Sequence, residues 1–169
     1  SISVGGDTKD IPLNDNLIYK AALLLQTHSK TSLGVKINLI KRLPMGGGVG
    51  GGSSDAASTL LALNKLWKLE LNLKTLAQLG LKLGADVPVF IQGQSAIAQG
   101  IGEKLHQVKL EQKWYCVVHP NQHVSTAKIF THPDLKRDTP KIIGDWKHHT
   151  LTNDCEPLVK KLCPEVEKT

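Results

Sequence analysis

A chain of 169 residues, 40% hydrophobic and 21% charged, has the composition of a soluble globular protein with material for one large domain or a little more. The net charge of +6 favours anionic partners, but the basic residues are scattered and match no nucleic-acid-binding signature, so a nucleotide suits the charge better than a nucleic acid. No apolar run is long enough to span a bilayer, and Cys116, Cys155 and Cys163, in no zinc-binding or C-x-x-C spacing, read as reduced thiols of a cytoplasmic protein.

Residues 1–11 are polar and contain glycine, which predicts the end of a strand and a loop. Asn14-Asp15-Asn16 opens a helix with Asn14 or Asp15 as its cap, and Leu17, Ala21, Leu24 and His28 recur along one face. His28 is read as a helix-end histidine rather than a ligand. Val35, Ile37 and Leu39 alternate as in a strand over residues 35–40. Then comes the densest signal, Pro44-Met45-Gly46-Gly47-Gly48-Val49-Gly50-Gly51-Gly52-Ser53-Ser54-Asp55-Ala56-Ala57, with six of the fifteen glycines. A helical pattern (Ala56, Leu60, Leu63, Trp67) follows, and the spacing predicts a helix from about Ser54 to Trp67, capped at Ser53 or Ser54.

A second helix carries Leu76, Leu79 and Leu83, with Asn72 as cap and Gly84 as terminator. Asp86 sits just past it, in Gly84-Ala85-Asp86-Val87-Pro88-Val89-Phe90, a turn or capping position by its spacing alone. Residues 95–108 read as two strands broken by Gly100-Ile101-Gly102, and Trp114 to His119 as another strand, stopped by Pro120-Asn121. A short helix starts at Ser125 and carries Thr126 and Phe130. Beyond Thr131, Pro133, Pro140, Pro157 and Pro164 preclude long elements. His119 and His123 are separated by Pro120, His148-His149 stand apart, and no H-E-x-x-H is present, so a histidine metal site is not expected.

A glycine run between a strand and a helix start has a chemistry of its own. Glycine lets a ligand approach the main chain, and the helix start offers unpaired N–H groups and the positive end of the macrodipole. Together they cradle an anion, most often a phosphate chain. Three cradles compete. In the Walker A pattern Gly47 and Gly52 have the right spacing, but Ser53 stands where lysine must be. The dinucleotide fingerprint G-x-G-x-x-G is met by Gly46, Gly48 and Gly51, with Glu70 about twenty residues on in an alternating Leu66-to-Leu73 stretch. That reading starts the helix early and places Gly50, Gly51 and Gly52 in its first turns, at about 0.8–1 kcal/mol per interior glycine. A dinucleotide-dependent oxidoreductase therefore ranks second. A nucleotide-binding module without chemistry would keep the cradle and not depend on Asp86.

The third cradle resembles the second motif of the GHMP small-molecule kinases: a proline, then glycines, then serines opening a helix. Further stretches strengthen the likeness, in the family's order and over nearly the whole chain: Asp15-Asn16-Leu17, Lys41-Arg42-Leu43, Leu83 through Phe90, Lys113-Trp114-Tyr115 with His119-Pro120, and Asn153-Asp154-Cys155-Glu156.

The resemblance implies an α+β fold of two domains. Residues 1–112 would form the ATP-binding N-terminal domain, like ribosomal protein S5 domain 2, without its first strands. Residues 113–169 would begin a ferredoxin-like C-terminal domain. It also implies a small-molecule substrate. The branch of the family it points to uses ATP and Mg²⁺ to phosphorylate a tertiary hydroxyl on the methylerythritol part of a cytidine diphosphate conjugate, a step of the non-mevalonate route to isoprenoids.

By the same resemblance, Asp86 is the catalytic base. Pro44, Met45, Gly46, Gly47, Gly48, Val49, Gly50, Gly51, Gly52, Ser53 and Ser54 hold the ATP phosphates, and Ser53 and Ser54 also meet Mg²⁺. Asn16, Lys41 and Met45 lie near the adenine. Phe130 stacks on the substrate's cytosine with Thr126 beside it. The protein is expected to be a cytoplasmic monomer or homodimer with no nucleic-acid or membrane partner. The family's first motif, with a lysine that pairs with the catalytic aspartate, and its late glycine loop have no counterpart here. The sequence is therefore expected to be the middle of such an enzyme, with little or no activity by itself.

Overall fold

A computed structural model describes residues 1–8, 11–43, 48–122, 124–141, 146–148 and 152–169. The chain divides into two compact units, one made of Ser1–Pro44 and Val49–Lys113, the other including Trp114–Thr169.

In the first unit, β1 (Ile2–Gly6) pairs in parallel with β2 (Val35–Leu39), Ile2 opposite Val35 and Gly6 opposite Leu39. Between them runs α1 (Leu17–Ser29), since parallel strands need a crossover. A short 3-10 turn, Leu13–Asp15, precedes α1, which moves the cap from the expected Asn14 or Asp15 to Asn16. The Asn16 Oδ1 accepts from Ile18 N at 2.9 Å and satisfies one of the unpaired N–H groups of the first turn. His28 lies in the last turn, where a basic side chain complements the helix dipole.

The next helix, α2 (Gly51–Leu66), begins three residues earlier than its apolar pattern indicates. Gly50, not Ser53 or Ser54, is its N-cap, with φ +68. Gly51 and Gly52 are tolerated because the first turn lacks the intrahelical N–H bonds of a helix interior and because neighbours press on it. A Cβ on Gly52 would lie 3.2 Å from Leu17 Cδ1, and one on Gly51 would lie 3.4 Å from Leu43 Cδ1.

Helix α3 (Leu73–Leu81) is capped by Asn72 as expected, its Oδ1 accepting from Thr75 N at 2.9 Å. The stretch between α2 and α3 is no strand: Lys68 and Glu70 have positive φ there. The apolar run after Asp86 is a helix, α4 (Val87–Gln92), with Pro88 in its first turn, where a missing N–H costs nothing. The two expected strands are present as β3 (Ala96–Gln99) and β4 (Lys104–Gln107), which pair antiparallel as a hairpin.

The core of this unit is helical. Ala21, Ala22 and Leu25 of α1 meet Ala56, Ala57, Leu60 and Leu63 of α2, joined by Leu76, Leu79, Val87 and Ile91. The alanines let α1 and α2 approach closely. The fully buried Leu25, Leu60, Leu76 and Val87 each contribute roughly 1.5–3 kcal/mol by leaving water. The buried indole of Trp67 donates to Gly34 O at 3.3 Å, tying the end of α2 to the turn before β2.

The second unit has a smaller core of Ile129, Leu135 and Leu158. Helix α5 (Thr126–Thr131) starts at the expected Ser125 cap; α6 (Glu156–Leu162) and α7 (Pro164–Glu167) follow. The expected strand from Trp114 to His119 is not formed. A strand exists through its ladder, and among the described residues none pairs with this one, so Trp114, Tyr115, Val117 and Val118 stay exposed. The three cysteines are free thiols. Among the described residues, no helix is long and apolar enough to cross a membrane.

Candidate active site

The first turn of the glycine helix α2 is half-buried. A helix leaves its first N–H groups without intrahelical acceptors, and here those include Gly51, Gly52 and Ser53; the first closed bond runs from Ser54 N to Gly50 O at 2.9 Å. Glycine is required at Gly50 twice over. Its φ is left-handed, and a Cβ would approach Phe90 Cζ to 2.9 Å. The side chains of Ser53 and Ser54 make no hydrogen bond to the protein among the described residues, so both hydroxyls are open to a ligand.

Three neighbours frame this turn. Asn16 and Leu17 open α1 beside Gly52. Lys41, which leaves β2 with its backbone N–H donating to Asp7 Oδ2 at 2.9 Å, sends its ammonium to Asp55 Oδ2 at 2.6 Å. That ammonium would lie 3.4 Å from a Cβ on Gly51, so an ion pair stands beside the helix start. The third neighbour is the turn before α4: a Cβ on Gly84 would lie 3.9 Å from Ser53 Oγ.

Asp86 follows in that same turn, exposed at the N-cap of α4, with no side-chain cap bond. Among the described residues its carboxylate makes no hydrogen bond or ion pair, which leaves it open to a ligand. Its location is set from behind by Gly80, where a Cβ would come within 2.7 Å of both Val87 Cγ1 and Ile91 Cδ1. Only glycine lets α3 and α4 close at that point.

The structure thus gathers Asn16, Lys41, Gly50, Gly51, Gly52, Ser53, Ser54 and Asp86 within one unit. Gly48, with φ +70, and the exposed Val49 precede them along the chain. Pro44, Met45, Gly46 and Gly47 lie outside the described residues. Thr126 and Phe130 belong to the second unit, one turn apart and both exposed on α5. Arg137 secures the end of that helix, its Nη2 donating to Phe130 O at 2.6 Å.

Two residues of the site escaped the sequence reading. Asp55 stands fourteen positions from its lysine, a separation that no local rule connects. Phe90 covers Gly50 only because α2 and α4 pack together. The glycine at position 50 was the available sign that something comes close.

Known proteins match this picture. Residues 16–94 match the GHMP kinases N terminal domain. The 4-diphosphocytidyl-2-C-methyl-D-erythritol kinase of Pseudoalteromonas translucida (strain TAC 125) is 80% identical over 169 residues, all of this chain and 60% of that protein. The protein of the same name from Tolumonas auensis is 60% identical over 162 residues, 94% of this chain and 56% of that one. A crystal structure of 4-(cytidine 5'-diphospho)-2C-methyl-D-erythritol kinase superposes with a TM-score of 0.76 at 30% identity, covering 99% of this chain and 63% of that one. The chain therefore spans less than two thirds of the length of these relatives. Over the part it shares with them, its sequence and its mixed helix-and-strand architecture are similar to those of GHMP kinases.

Proposed function

We propose that this chain forms the phosphate-gripping and proton-accepting part of an ATP-dependent kinase that phosphorylates the 2-hydroxyl of 4-(cytidine 5'-diphospho)-2-C-methyl-D-erythritol, in the non-mevalonate route to isoprenoids. The observation that carries this reading is the approach of Ser53, in the first turn of α2, to the turn that bears Asp86. A phosphate chain held at one would then lie near a base carried by the other.

Phosphoryl transfer asks a protein for positioning and for charge stabilisation more than for covalent chemistry. The free amides of Gly51, Gly52 and Ser53 suit a phosphate chain, and the missing side chains let it come close. Asp86 would accept the proton of the acceptor hydroxyl. Lys41 and Asn16 would border the nucleotide, and Thr126 and Phe130 the cytidine part of the substrate. ATP supplies the phosphoryl group. For Mg²⁺ the fit is of the shared kind: among the described residues no group of three His, Cys, Asp or Glu could hold a metal. Phosphate oxygens, water and a hydroxyl of Ser53 or Ser54 would have to complete its shell. We place the enzyme in the cytoplasm, where its free thiols stay reduced, as a monomer or homodimer.

The dinucleotide reading has no support, because α2 begins after Gly50 rather than near Gly48 and Glu70 ends no strand. The test is ³¹P NMR of a full-length polypeptide carrying this segment, with ATP, Mg²⁺ and the cytidine substrate. The reading predicts a new phosphomonoester resonance and ADP, both dependent on the cytidine compound. ADP formation independent of it would make the protein an ATPase and overturn the kinase reading, and ATP binding with no ADP formed would leave only a nucleotide-binding module.

A further inference from the structure

The β3–β4 hairpin touches the site where no side chain is involved. Gly102, at φ +112, lies so close to Ala85 that a Cβ there would collide with the Ala85 carbonyl oxygen and sit 3.1 Å from its carbon. That carbonyl belongs to the peptide group leading into Asp86. The hairpin turn is itself braced: Gly102 N donates to Gln99 O at 3.3 Å, and Glu103 folds its carboxylate back to accept from Ile101 N at 2.7 Å. Gly100, at φ +72, leaves room for that carboxylate.

This seating is not a by-product of general packing. No hairpin side chain belongs to the buried core of the unit. A cavity of about 610 Å³, bordered by Leu73, Ala77, Leu81 and Pro88 on one side and Glu103 and Leu105 on the other, lies between the hairpin and helices α3 and α4. The tip reaches past that cavity to rest on the Ala85 peptide.

We infer that the Gly100–Glu103 turn is a positioning element for Asp86, with Gly102 pressing on the peptide group that aims the carboxylate. The inference rests on the reading of Asp86 as the base. It makes Gly102 and Glu103 positioning residues, Gly102 by direct contact with Ala85 and Glu103 by keeping the turn tight. A displacement of about 1 Å in such a group is enough to cost on the order of a hundredfold in rate.

The test compares Gly102→Ala, Glu103→Gln and Asp86→Asn in the full-length polypeptide, reading kcat, the KM for ATP and the amide exchange of Val87, whose N–H donates to Gly84 O at 3.2 Å across the same turn. Gly102→Ala is expected to lower kcat by about tenfold or more, leave the KM for ATP within about twofold, and speed exchange at the Val87 amide. Glu103→Gln, which keeps shape and fold, is expected to lower kcat by a smaller factor with the same unchanged KM. If Gly102→Ala does not fold, Glu103→Gln decides. Unaltered kcat and unaltered exchange in the folded variants, beside an inactive Asp86→Asn, overturn the positioning role. An active Asp86→Asn overturns the base assignment instead, and the exchange rates then decide whether the hairpin holds the turn.

Discussion

Lys41 and Asp55 are joined across the start of α2, ammonium to carboxylate at 2.6 Å, with the lysine side chain 18% and the aspartate 31% exposed. The pair links the strand leaving the sheet to the helix that offers its amides, and it is screened only in part by solvent. Removing either partner alone should leave the other charge half-buried. A double-mutant cycle with Lys41→Met and Asp55→Asn, followed by urea unfolding, should give a coupling of about 1 kcal/mol or slightly less. A coupling of zero would make the pair an incidental surface contact.

Gly50 combines a left-handed backbone with the ring of Phe90. Gly50→Ala should destabilise the first unit by about 1–2 kcal/mol from the backbone alone, and more from the collision. Adding Phe90→Leu should recover the collision but not the backbone part. Equal stability of Gly50→Ala and the parent in thermal melts would contradict this.

How far these features can be read without coordinates depends on how local their causes are. The Asn72 cap, the Ser125 cap and the hairpin broken at Gly100–Gly102 each follow from neighbours within a few positions, and all three are present. The start of α2 is not local. Glycine's low helix propensity argues for a start at Ser53, but Leu17, Leu43 and Phe90 crowd the space where side chains would go. The Trp114–His119 stretch shows the opposite failure: its composition suits a strand, and pairing, which composition cannot supply, is missing. Asp86 reads as a turn residue from its spacing, and its proposed role as a base rests on the family resemblance alone. What sets its place, Gly80 on one side and Gly102 on the other, comes from contacts six and sixteen positions away.

In the second unit, Lys161 holds the Asp134 carboxyl below its ordinary value, first by a hydrogen bond of 2.8 Å and then by its charge. A depressed carboxyl stabilises the fold above its unfolded value of about 3.9 and loses that contribution as pH falls through the folded value. Both groups are largely exposed, so the effect on stability is small and best read at the residue itself. NMR titration should place the Asp134 carboxyl below the usual aspartate range, and Lys161→Met should return it upward. A midpoint unmoved by Lys161→Met would contradict the assignment.

In the proposed reaction the amides at the start of α2 hold a phosphate chain while Asp86, in the adjoining turn, takes the proton of the acceptor alcohol. Steady-state kinetics and nucleotide binding of Asp86→Asn, in the full-length polypeptide, test it most directly. Turnover is expected to fall by about a hundredfold or more, in the range of general-base removal, with ATP affinity nearly intact. A fall of less than about tenfold, with binding unchanged, would contradict it.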